Sequence, residues 1–167
     1  MATEDHDGGT SMAAVPGDGV LLLAPGAGET ATLLGLTVRL VYREGRGACA
    51  AVELTVPSGS GHPPSHVHHR TEETFYVLAG VVAVQVGQTI YEGRPGALVR
   101  VPQGEPHAFW NTGTEPARIL STIVPAGVER FLLELGPRLA ASDGTAEQAA
   151  AIRHALAARY DVAYASL

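Results

Sequence analysis

Cysteine is nearly absent from this chain: 167 residues contain one, Cys49. A lone thiol excludes an internal disulfide framework and gives no support to a thiolate metal site. Lysine is missing altogether, so all 11 basic residues are arginine, set against 17 acidic ones for a net charge of −6. No basic cluster forms, which argues against nucleic acid and anionic membrane as partners. Long apolar runs are missing too. Val20–Ala24 is far too short to span a bilayer. The N-terminus reads MATEDHDGG, acidic and polar where a secretory signal is basic and then apolar. The expectation is a cytoplasmic protein with residues 1–18 as a flexible tail and Met12 as a candidate true start.

What is present is a chain 46% hydrophobic, with 20 glycines and 11 prolines, enough for one domain with many turns. From about Val20 to Pro125, short stretches rich in β-branched and aromatic residues alternate with Gly, Pro and Asn punctuation. Leu33–Arg43, Ala48–Val56, Thr74–Leu78, Val81–Val86, Thr89–Glu92, Ala97–Val101, His107–Asn111 and Arg118–Val124 read as strands. That spacing predicts an all-β sandwich or barrel over residues 19–125. Residues 126–167 then change character. Phe131, Leu132 and Leu135 fall at helical spacing with Gly136-Pro137 as a break, and Thr145-x-x-Gln148 has the form of a capping box. A C-terminal pair of helices packing on the barrel is expected.

Three of the seven histidines crowd into PPSHVHHRTEETFYVLAG, residues 63–80. On a strand, His66 and His68 project to one side while Val67 and His69 face the other. A turn at 69–72 is then needed before Glu73 begins the next strand, with Phe75 and Val77 sharing its face. Imidazole and carboxylate are ligands for a divalent transition metal. A fourth ligand must come from elsewhere, and GALVRVPQGEPHAFWN (residues 96–111) offers His107 at the start of an aromatic strand.

These two stretches fit the patterns H-x-H-x4-E-x6-G (His66, His68, Glu73, Gly80) and G-x5-P-x-G-x2-H-x3-N (Gly96, Pro102, Gly104, His107, Asn111). They resemble the two motifs of the cupin superfamily, small double-sheet jelly-roll barrels also described as a double-stranded β-helix. One departure is Ser60, where the family usually has a glycine. The resemblance implies that His66, His68, Glu73 and His107 bind one divalent ion, Fe, Mn, Ni, Co, Cu or Zn. His69 and Glu72 neighbour the ligands but break the parity or the spacing, so they read as surface residues. Phe75 and Phe109 share the ligands' parity and are candidate substrate contacts. Trp110 has the opposite parity, and Glu53 reads as the polar side of its strand. Phe131 and Leu135 are expected to cap the core rather than touch substrate.

Three neutral imidazoles and one carboxylate leave a divalent site with net charge +1 and, if octahedral, two open positions, as in catalytic rather than sealed metal sites. The favoured class resembles the quercetin dioxygenase-like single-domain cupins. These are oxidoreductases acting with O2 on a small aromatic or enolic substrate, and Glu73 could double there as catalytic proton acceptor. The alternatives are a non-redox isomerase, cyclase or decarboxylase, and a non-catalytic small-molecule-binding cupin. Glu73 argues against thiol dioxygenases. No helix-turn-helix precedes Val20, which argues against a regulator. A homodimer is expected, with Trp110 and the early strands as its surface.

Overall fold

The computed structural model describes residues 21–44, 47–60 and 64–164. The tail with Met12 and the imidazole of His62 lie outside the described residues. Ten strands come first: β1 (Thr30–Leu33), β2 (Leu36–Arg43), β3 (Ala50–Val56), β4 (His66–Val67), β5 (Glu72–Ala79), β6 (Val82–Val86), β7 (Thr89–Gly93), β8 (Leu98–Val101), β9 (His107–Asn111) and β10 (Ala117–Val124). Helices α1 (Val128–Ala140) and α2 (Ala146–Ala157) follow, then a short strand, β11 (Ala163–Tyr164). One sheet has the order β1-β2-β3-β10-β5-β8 and the other β11-β4-β9-β6-β7. All pairings are antiparallel. The result is an all-β jelly roll with a C-terminal helical appendage.

Alternation builds the core. Val52, Leu54 and Val56 of β3 are buried, as are Phe75 and Val77 of β5 and Ile119 and Ile123 of β10. Residues at the opposite parity, such as Glu53, face outward and pair with Arg39 and Arg118. Gly80, at the end of β5, has φ 77°, and a Cβ on it would lie 2.7 Å from the Cα of Ala117. Only glycine meets both demands, which gives that motif position its physical reason.

Three details differ from the reading of the sequence. Leu33–Arg43 is not one strand: Leu34 (φ 51°) and Gly35 (φ 83°) make a two-residue turn, and Thr30–Leu33 pairs back on Leu36–Arg39. Gly136-Pro137 does not break α1, which runs through it to Ala140. Proline removes one late hydrogen bond there, and the burial of Val128, Phe131 and Leu135 on one face outweighs that loss. The C-terminal segment also does not end as helix, because β11 adds a strand to the second sheet through β4.

The appendage packs closely. Gly136 of α1 sits against β1, where a Cβ would lie 2.4 Å from the Thr32 carbonyl oxygen. Thr145 caps α2 by accepting from the Gln148 backbone N–H at 3.2 Å. Among the described residues no helix is long and apolar enough to cross a membrane.

Candidate metal centre

Both sheets contribute to one constellation. β4 carries His66, and His68 follows it directly; His66 pairs in register with His107 of β9. Glu73 comes from β5 on the opposing sheet. One ligand atom from each of His66, His68, Glu73 and His107 lies within 4.8 Å of the other three. Glu73, His68 and His107 are buried and His66 is half-buried. His69, exposed, turns away, and Glu72 pairs with Arg100 at the surface.

Each imidazole is oriented by a backbone carbonyl at its Nδ1. His66 meets the Pro64 oxygen at 3.1 Å, His68 the Asp161 oxygen at 2.5 Å and His107 the Glu105 oxygen at 3.0 Å. A carbonyl only accepts, so Nδ1 carries the proton and each Nε2 lone pair is free to point inward. Glu73 is held in turn: Ser121 Oγ donates to its Oε1 at 3.0 Å. Its Oε2 lies 3.3 Å from His107 Nε2 and 3.6 Å from His68 Nε2. His68 Nε2 is buried and has no hydrogen-bond partner among the described residues. Lone pairs and a carboxylate oxygen this close repel one another unless a proton or a cation stands between them. A divalent ion meets that requirement, and the residues fit it.

The electrostatics agree. Burial pushes the Glu73 carboxyl up, but the His107 and His68 imidazoles more than reverse this and hold it well below the usual carboxylate range. Burial together with the neighbouring His107 and His68 drives His66 down to about 3, so it stays neutral and ligand-competent. His68 is also pushed down by burial, yet the Glu73 carboxylate and the Asp161 carbonyl leave it net raised. With no cation present, His68 is where a proton collects.

A cavity of about 70 Å³ opens in front of the cluster. His66, His68, Glu73 and Phe109 form its floor, with Leu33, Leu36 and Leu54 at the side. Phe131, Leu132, Leu135, Arg153, Val162 and Tyr164 of the C-terminal segment form the roof. Phe131 and Leu135 therefore do both jobs, filling the core and facing the cavity. Phe75 stands one layer back, fully buried, its ring 5.2 Å from that of Phe109. It supports the floor and is not itself in the lining.

Sequence reasoning missed four residues here. Ser121 was readable, being a polar side chain at the inward parity of Ile119 and Ile123. Arg153 shares the buried face of α2 with Leu156 and Ala157, three and four positions on. Asp161 and Tyr164 carry no local signal. The Asp161 carboxylate also accepts from the backbone N–H groups of His69 (3.1 Å) and Arg70 (2.8 Å), strapping the chain behind the ligands.

A double-sheet jelly roll brings three histidines and a glutamate together as a group that could hold a metal ion. Residues 52–123, the greater part of the barrel, match the family model described as "Cupin domain". Germin-like protein 5-1 of Oryza sativa subsp. japonica is 34% identical over 112 residues, 60% of this chain. Uncharacterized protein MJ1618 of Methanocaldococcus jannaschii is 32% identical over 73 residues, 44% of this chain. The chain spans only 48% and 58% of the lengths of these two relatives. An RmlC-like cupin from Shewanella frigidimarina NCIMB 400 superposes with a TM-score of 0.52 at 22% identity, covering 59% of this chain and 85% of the other. That likeness speaks to the fold.

Proposed function

We propose that the protein is a metal-dependent cupin oxidoreductase of the dioxygenase type, using O2 on a small enolic or aromatic compound. The observation that carries this reading is the convergence of three carbonyl-anchored imidazoles and one buried carboxylate on a single point facing a cavity. A divalent ion held by His66, His68, Glu73 and His107 would supply Lewis-acid activation and, if redox-active, an electron path to O2.

The chain's own residues do the rest. The apolar walls exclude water around the reacting group. Glu73 is the only carboxylate in the lining among the described residues; it would be a ligand to the ion and is the carboxylate nearest to where an enol proton would leave, with Ser121 keeping its outer oxygen in place. Phe109 stacks on the flat face of the substrate. The cavity is far below the roughly 300–1,000 Å³ of sites for drug-sized ligands. It therefore suits compounds of a few carbons, and a flavonol requires the roof to lift. Assembly as a homodimer belongs to the same proposal. Tyr76 and Leu98, paired across β5 and the edge strand β8, are both exposed and offer the apolar face such a contact needs.

Metal analysis of protein purified without added metal, followed by oxygen uptake with short diketones, catechols and flavonols, tests the reading. Uptake dependent on a bound redox ion is expected. Zinc content with turnover but no uptake would transfer the site to isomerase, cyclase or decarboxylase chemistry. Binding without turnover would make it a carrier.

A further inference from the structure

Among the described residues, every arginine except one has a carboxylate at ion-pair distance. The exception is Arg153. It is half-buried on the inward face of α2, and it is the one cationic side chain other than the histidines in the lining of the cavity in front of the metal ligands. The rest of the roof is apolar save for the half-buried Tyr164. A tyrosine hydroxyl can donate a hydrogen bond.

Charge makes the case stronger. Two unit charges close to an apolar void attract an anion far more than they would in water. A divalent ion held by these four residues would leave a net charge of +1, Arg153 adds a further +1, and no carboxylate but Glu73, already counted, faces the cavity among the described residues. A guanidinium presents parallel N–H groups that match a planar carboxylate, and a carboxylate is small enough for a cavity of about 70 Å³.

We infer that Arg153, with the Tyr164 hydroxyl beside it, is a specificity-determining residue that binds a carboxylate, making the substrate a short oxo- or enol-carboxylic acid. This inference rests on the proposed metal-dependent function and narrows its substrate class. The carbonyl or enol end faces the metal ligands, and the acid end faces the roof.

The experiment uses pyruvate and butane-2,3-dione, which have the same number of non-hydrogen atoms and differ by one charge. Binding to the cobalt(II)-loaded full-length protein is read from the visible ligand-field absorption, with metal content and melting temperature measured in parallel. Arg153→Met should weaken pyruvate about tenfold or more, leave butane-2,3-dione within twofold, and leave metal content unchanged. Arg153→Lys should recover part of the pyruvate affinity, and Arg153→Gln replaces the methionine variant if that variant does not fold. Equal weakening of both ligands, or no change for pyruvate, overturns the assignment while leaving the metal-dependent reading in place. Failure of the wild-type protein to bind either ligand rejects both.

Discussion

Replacing Gly136 by alanine sets two effects of opposite sign against each other. Intrinsic propensity favours alanine over glycine inside a helix by about 1 kcal/mol. Packing opposes it, because the new Cβ would lie 2.4 Å from the Thr32 carbonyl oxygen and 3.1 Å from its carbon. The first atom is backbone in a paired strand and cannot swing aside. Since 3.0 Å is about the closest tolerated approach, α1 and β1 must part by about 0.6 Å. A gap of that size forfeits a quarter to a half of the dispersion attraction along the contact. Overpacking of this kind typically costs about 1–3 kcal/mol, and the rigid partner puts this case in the upper part of the range. The net expectation is a loss of about 1–2 kcal/mol, or about 2–8 °C in melting temperature for a chain of this length. Far-UV circular dichroism melts of the wild-type and G136A proteins measure it directly. A variant as stable as the wild type, or more so, would show that α1 does not rest on β1 as described.

His66→Ala, His68→Ala and His107→Ala should each lose most bound metal by elemental analysis, whereas His69→Ala should keep it. Asp161→Ala removes the carboxylate that holds the His69 and Arg70 amides, and should weaken metal about tenfold in a chelator competition, with intact affinity arguing against the strap. The metal-free protein should respond to pH in two ways. His68, raised above its unfolded value, contributes stability that is fully present below about 6.5 and lost as pH climbs through its folded value. Glu73, depressed, contributes stability present above its unfolded value of 4.5 and lost as pH falls toward its folded one. Because a metal must displace the His68 proton, affinity should already fall as pH drops through neutrality; equal affinity at pH 8 and pH 6 would contradict this.

The four clustered side chains could be read in the sequence because they sit in two short motifs, whose resemblance to a known family implied the set. A two-residue step puts His66 and His68 on one side, one turn brings Glu73 onto the facing sheet, and His107 opens a strand after Pro102-x-Gly104. The roof could not be read, because it depends on contacts made across 90 or more residues, as in His68 to Asp161. Pro137 misled because a proline signal is local while the burial of Phe131 and Leu135 is not. The turn at Leu34 was hidden for a related reason. Leucine seldom adopts positive φ, and the pairing of β1 with β2 imposes it here.

The carbonyl that fixes His68 belongs to a residue synthesised after all four ligands. The segment up to Val124 supplies all four clustered side chains, whereas the carbonyl that sets the His68 tautomer and much of the cavity roof come from beyond it. The orientation of His68 is therefore set from the turn between α2 and β11, far along the chain from the histidine itself.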